Sequence, residues 1–196
     1  YYASHVDKYT TDQRYALLKY IDARANWGGR IRIDAHGIEN IPKRDGFIFY
    51  PNHQGLYDVL AIIEACPRPF SVIMKKEIQD IPFLKQVFAC MKAYAIDRDD
   101  VKQSMKVIIQ VSKEVMQGRN FLIFAEGTRS RNQNQLLDFK GGSFKAAIKA
   151  KCPIVPVALI DSYQSFDTNS IKPLTVQVHF LEPLLYEEYQ DMKSVE

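Results

Sequence analysis

Phe47-Ile48-Phe49-Tyr50-Pro51-Asn52-His53-Gln54-Gly55-Leu56-Tyr57-Asp58 runs from an apolar strand, through a turn bracketed by Pro51 and Gly55, to the start of a helical pattern. An imidazole and a carboxylate lie five positions apart in it. On one regular helix that spacing amounts to about 500°, leaving the two side chains roughly 140° apart. His53 on the turn and Asp58 at the helix start can instead face each other across a folded-back loop. A carboxylate on one ring nitrogen leaves the other free to take a proton from a substrate hydroxyl. A lone pair of this kind also has a purely structural reading, with Asp58 as a helix N-cap and His53 as a hydrogen-bonded loop histidine.

The strand-to-helix pattern repeats along the chain. Alternating Ile31, Ile33 and Ala35 mark a half-buried strand, and further strands are expected at about 46–50, 70–74, 93–97, 121–124, 154–160 and 174–180. Helical periodicity falls at about 57–65, 81–91, 101–117 and 142–150. An N-terminal helix over Thr11–Trp27 precedes them, capped by Thr10 or Thr11 and stopped by Gly28-Gly29. This alternation predicts an α/β fold with helices covering a largely parallel or mixed sheet. No internal repeat, low-complexity segment or linker interrupts it, and Asp161–Asn169 reads as a surface connection. At 196 residues the most economical organisation is one domain.

Composition excludes several classes. With 46% hydrophobic and 25% charged residues, the chain is neither disordered nor a disulfide mini-scaffold. A net charge of +3 suits an anionic surface or substrate but does not by itself support nucleic-acid binding. Cys66, Cys90 and Cys152 lack metal-like spacing and sit in apolar surroundings, which predicts buried thiols in a reducing compartment. No apolar stretch approaches the roughly 20 residues that span a bilayer. The chain opens at Tyr1 rather than Met, which leaves room for a leading segment ahead of it, a membrane anchor included.

A second stretch, Phe121-Leu122-Ile123-Phe124-Ala125-Glu126-Gly127-Thr128-Arg129-Ser130-Arg131, also places polar residues after an apolar run. Its Gly turn, hydroxyl and guanidinium groups suit a phosphate, which an Arg can engage through two parallel bonds. Arg98, just past another strand, can converge on the same anion if both strands end at one sheet edge. Arg131 is a weaker candidate at the start of a polar loop. Glu126 is an odd neighbour for a phosphate, better suited to pairing with an arginine or shaping the turn.

Together these blocks resemble the glycerolipid acyltransferases. In that family a His is followed after four residues by Asp, usually within Asn-His-x-Ser, and Asn52–Asp58 matches with Gly55 in the Ser position. Phe124–Ser130 matches Phe-Pro-Glu-Gly-Thr-Arg-Ser with Ala125 for Pro. Ile96-Asp97-Arg98 and Ile154-Val155-Pro156-Val157 match two further blocks, in order, over residues 46–160. The resemblance implies transfer of an acyl group from a thioester donor, acyl-coenzyme A or acyl-carrier protein, to the hydroxyl of 1-acylglycerol 3-phosphate. His53 would be general base, oriented by Asp58, with Arg98, Glu126, Gly127, Thr128 and Arg129 at the substrate. No metal and no resident cofactor are implied. The oxyanion donor would be a backbone N–H near His53 or Gly55.

Alternative acceptors are glycerol 3-phosphate or another lysophospholipid. A non-catalytic lipid-binding protein on the same fold is the rival, which intact His53 and Asp58 argue against. A serine hydrolase is disfavoured because no Gly-x-Ser-x-Gly elbow appears. Such substrates place the protein at a membrane surface, on its cytoplasmic face, held peripherally or through a preceding anchor. The apolar, basic segment 81–91 and the lysines Lys140, Lys145, Lys149 and Lys151 can meet lipid or coenzyme A phosphates, or belong to ordinary amphipathic helices.

Overall fold

The computed structural model describes residues 1–168, 170 and 172–192. After two short 3-10 turns, α1 (Thr11–Gly28) begins at a capping box. The Thr10 hydroxyl accepts the Gln13 N–H at 3.2 Å and the Gln13 side chain accepts the Thr10 N–H at 2.9 Å. Two of the donors that a helix start leaves unpaired are thereby satisfied. At the other end the left-handed residue is Arg30 (φ 57°), one step beyond the expected Gly28-Gly29 stop.

There follow β1 (Ile31–His36), β2 (Ile48–Pro51), α2 (Asp58–Ala65), β3 (Ser71–Lys75), α3 (Leu84–Met91) and β4 (Tyr94–Ile96). The chain continues through α4 (Val101–Met116), β5 (Phe121–Leu122), α5 (Gly141–Ala150), β6 (Ile154–Ile160), α6 (Gln164–Asp167), β7 (Leu174–Phe180) and α7 (Tyr186–Tyr189). The seven strands form one sheet in the order β1-β7-β6-β2-β5-β3-β4. The five from β6 to β4 are mutually parallel, β7 is antiparallel to β6, and β1 runs parallel to β7. The sheet is therefore mixed, as an α/β pattern of this kind allows.

Strand alternation divides the core in two. Phe47, Phe49, Leu122, Val155 and Val157 pack with α1, α2 and α3 on one face. Ile48, Tyr50, Phe121, Ile123 and Ile154 pack with α4, α5 and Tyr189 on the other. Because helices cover both faces, the central strands are apolar at every position, which is why they read as unbroken runs. All three cysteines are buried and free. In this topology β2, β3, β4, β5 and β6 all end at the same sheet edge. The loops that carry His53, Arg98 and Glu126–Arg131 meet there.

One buried group is poorly accommodated. Asp22 on α1 has an oxygen, Oδ2, with no hydrogen-bond partner. Burial, reinforced by the nearby Glu64 carboxylate and opposed by Lys19, pushes its carboxyl up to about 7. A carboxyl raised in the folded state favours folding when neutral. That contribution is complete below the ordinary Asp range and is lost as pH rises through about 7. Asp22→Asn stays neutral at every pH and should stabilise the protein at pH 8 but not at pH 4. The asparagine keeps an unsatisfied polar atom, so the gain should be about 1–2 kcal/mol, or a few degrees in Tm. Thermal melts of both proteins at the two pH values check this, and an equal offset at both would contradict it.

Candidate active site

His53 lies on the loop between β2 and α2, and the structure brings it against Asp58. His53 Nδ1 is 2.7 Å from Asp58 Oδ2, and the carboxylate is completely buried. Tyr57 is the N-cap of α2 and Asp58 its first residue, but the Asp58 side chain turns back onto the loop instead of capping the helix. Its Oδ2 accepts the Gln54 N–H at 2.7 Å and the Gly55 N–H at 3.0 Å. These bonds fold the five-residue spacing so that the pair meets. With an ionised Asp58 on Nδ1, the ring carries its proton there and presents an unprotonated Nε2. The ring stacks on Phe124 with centroids 3.7 Å apart and lines a cavity at the sheet edge.

Ser162, fully buried in the loop after β6, donates its hydroxyl to Asp58 Oδ1. The stretch Asp161–Asn169, expected as a loose surface connection, is thus part of the site's foundation. Gln164–Asp167 forms a single helical turn, and Asn169 lies outside the described residues. Gln54 and Asn52 reach the same loop and strand: Ser162 N–H donates to Gln54 Oε1 at 2.9 Å, and Leu159 N–H donates to Asn52 Oδ1 at 2.7 Å. Asn52 and Gln54 fall within the block Asn52–Asp58 read from the sequence, whereas Ser162 lies 104 residues from Asp58 and 108 from Gln54, and no local signal marks it.

Of the two roles read for Glu126, the structure shows it shaping the loops and not pairing with an arginine. It is 1% exposed and its oxygens accept the His53 N–H at 2.9 Å and the Leu137 N–H at 3.1 Å. Grouped with the substrate residues from the sequence, it is instead a buried brace between two loops, with no oxygen left for an anion that would repel it. The Ser130 N–H donates to the His53 carbonyl at 2.7 Å and completes the cross-link. Gly127 has φ +69°, a conformation that side chains rarely adopt, so the turn after Glu126 requires glycine.

Of the N–H groups near His53 and Gly55 that could stabilise an oxyanion, three are committed. His53 N–H goes to Glu126, and Gln54 and Gly55 N–H go to Asp58. Each holds a carboxylate that positions the loop, so none is free for a reacting oxygen.

Gly127, Thr128, Arg129, Arg131 and Arg98 line the same cavity as His53, of about 540 Å³. Among the described residues, Arg98, Arg129 and Arg131 make no ion pair or side-chain hydrogen bond. Three unpaired guanidinium groups around one cavity are a strong attraction for an anion. Lys145, on the exposed side of α5, adds a fourth unpaired positive charge, Lys75 lines the cavity paired with Glu77 at 2.9 Å, and Lys149 and Lys151 do not line it. The remaining wall is apolar, formed by Val72, Met74, Val87, Phe88, Met105 and Ile108. One cavity therefore joins the His53 imidazole, three unpaired guanidinium groups and an apolar trough.

Phe88 belongs to that wall and to the core at 6% exposure, whereas Phe83 is 51% exposed. The two rings of segment 81–91 do not share a face. The helix begins only at Leu84, after a turn in which Phe83 takes φ 70°. No helix of the described residues is long and apolar enough to cross a membrane.

Residues 32–160 match the Acyltransferase family, and the chain belongs to that family. It is 33% identical over 161 residues to the 1-acyl-sn-glycerol-3-phosphate acyltransferase of Borreliella burgdorferi, covering 81% of this chain and 64% of the relative. Against the protein of the same name from Cocos nucifera it is 30% identical over 149 residues, covering 74% and 48% respectively. The chain thus spans roughly half to two-thirds of the length of these relatives. Its fold matches the crystal structure of the 1-acyl-sn-glycerophosphate (LPA) acyltransferase, PlsC, from Thermotoga maritima. The TM-score is 0.78 at 24% identity, over 92% of this chain and 72% of the other.

Proposed function

We propose that the protein transfers a fatty acyl group from a thioester to the free hydroxyl of 1-acylglycerol 3-phosphate, giving phosphatidic acid. The observation that carries this is the meeting of His53, held by Asp58 at 2.7 Å, with three unpaired arginines and an apolar wall in one cavity. Names of relatives from two distant organisms support the same acceptor.

His53 Nε2 takes the acceptor's hydroxyl proton as the oxygen attacks the thioester carbonyl carbon. The charge that develops on the imidazolium lies against the buried Asp58 carboxylate, which has no proton to give up and stays in place. Collapse of the tetrahedral species breaks the carbon–sulfur bond, and the thiolate takes the proton back from His53. An ester and a free thiol leave. The alcohol attacks directly, so no acyl-enzyme is required. Arg98 and Arg129 hold the acceptor phosphate, and the apolar wall shields a fatty chain. The acyl donor, on coenzyme A or acyl-carrier protein, is a substrate and no resident cofactor enters the step.

The test incubates the protein with a labelled acyl thioester and a panel of acceptors in detergent. The reading requires acylation of 1-acylglycerol 3-phosphate in preference to glycerol 3-phosphate and to lysophospholipids whose phosphate carries a head group. Transfer to none of them would overturn it.

Both acceptor and product partition into bilayers, so this chemistry belongs at a membrane surface. The exposed Phe83, Val101 and Met105 and the basic surface of α5 supply an interfacial contact of modest strength. Each basic residue near an anionic surface contributes about 1 kcal/mol, screened by salt. The chain should therefore sediment with anionic vesicles more than with zwitterionic ones, and less as salt rises. Phe83→Ser should weaken binding at every salt concentration. Phe88→Ser should instead lower thermal stability, since that ring lies in the core. Equal sedimentation with both vesicle types would remove the electrostatic contribution.

A further inference from the structure

We infer that Ser162 is a positioning residue for the His53–Asp58 pair, fixing the carboxylate from the oxygen that His53 does not use. The inference rests on the acyl-transfer reading for its kinetic arm only.

Geometry fixes where the hydroxyl proton goes. Ser162 Oγ lies within hydrogen-bond reach of two acceptors, Asp58 Oδ1 and Gln54 Oε1 at 2.9 Å. The orientation of the Gln54 amide is not in question. Its Nε2 donates to Asn134 Oδ1 at 2.8 Å and to the Leu159 carbonyl at 3.1 Å, so the opposite atom must be the oxygen. That oxygen already receives the Ser162 N–H at 2.9 Å. A hydroxyl has one proton, and the ionised Asp58 is the stronger acceptor, so the proton goes there.

Asp58 is then held at both ends. Oδ2 accepts from His53 Nδ1 and from Gln54 N–H, and Gly55 N–H bridges the two oxygens at 3.0 and 3.1 Å. Apart from the Gly55 bridge, Oδ1 has Ser162 as its only partner among the described residues. Without it the carboxylate can rotate about its Cβ–Cγ bond, and the face it offers to His53 changes. The family's usual hydroxyl two positions after the histidine is missing here, since Gly55 stands there and supplies only backbone. The structure assigns a hydroxyl from the far end of β6 to the same carboxylate.

The other charged groups around the pair are left alone by changes at Ser162. Glu126 contacts the His53 backbone, and Arg98, Arg129, Arg131, Lys75 and Lys145 line the cavity beyond the ring. Ser162 itself does not line that cavity, so a substitution there should not touch either substrate.

The test compares Ser162→Ala, Ser162→Cys and Ser162→Thr with the native chain. Ala and Cys remove the hydroxyl, the first with a smaller and the second with a larger side chain, and Thr retains it. Ala and Cys should lower kcat by about tenfold with both KM values within about twofold, and Thr should restore most of the loss. Independently of turnover, the proton shared by His53 Nδ1 and Asp58 should appear in the downfield proton spectrum. It should move in the Ala and Cys variants and not in Thr. An unmoved resonance with native kcat in Ser162→Cys would overturn the inference. So would failure of both Ser162→Ala and Ser162→Cys to fold, which would assign the hydroxyl to the fold alone. Should the resonance move as expected while the native chain acylates none of the acceptors, the positioning role stands and the acyl-transfer reading falls.

Discussion

Replacing His53 by alanine is expected to lower acyl transfer by a factor of about 10² to 10⁴ while leaving the protein folded. The ring is not a structural keystone. Apart from Asp58 its ring contact is the stack on Phe124, worth about 1 kcal/mol. The backbone contacts that secure the loop, from His53 N–H to Glu126 and from Ser130 N–H to the His53 carbonyl, do not depend on the side chain. Asp58→Asn should be nearly as damaging, for a reason the geometry makes specific. The Gln54 and Gly55 N–H groups both point at the carboxylate and must keep an acceptor. An asparagine oxygen in the Oδ2 position still meets these N–H groups and His53 Nδ1, but the NH₂ group falls at the Oδ1 position and the negative charge is gone. The imidazolium that forms as His53 takes the substrate's proton then has no buried anion beside it. Single-turnover assays with circular dichroism as a folding control check both variants. Near-native turnover in folded His53→Ala would remove the mechanism.

The reach of sequence reasoning can be judged on the same residues. The pairing of His53 with Asp58 was legible because it depends on local events: a strand end, a glycine turn and a helix start, all within six positions. The sheet was legible because buried parallel strands are apolar throughout and the helices between them carry a 3.6-residue period. What escaped depends on how distant segments are brought together. Ser162 meets Asp58 only because β6 pairs beside β2 in a register that ends both strands at one edge. Glu126 has the charge to pair with an arginine, yet two backbone N–H groups reach it first across the neighbouring loop. The bond from the His53 N–H also takes that group away from any reacting oxygen. The start of α3 at Leu84 follows a positive-φ backbone at Phe83, which no propensity scale favours.

Arg129→Lys should raise the acceptor KM by about 10- to 100-fold and leave the donor KM within a factor of about two. A charge remains in the lysine, so an effect of charge alone would be small. What is lost is the planar fork, whose two parallel N–H donors match two phosphate oxygens. The position supports this. Arg129 is half-buried on a loop whose turn is fixed by Gly127 and whose base is clamped by Glu126, so its side chain enters the cavity from a defined direction. Arg98 comes from the neighbouring loop after β4 and is exposed, so Arg98→Ala should move the acceptor KM the same way but less. Steady-state kinetics with each substrate varied in turn separates the two terms. If both substitutions weaken only the donor, the arginines serve the phosphates of its carrier. The acceptor phosphate would then have to lie nearer Lys145, on the α5 side of the cavity.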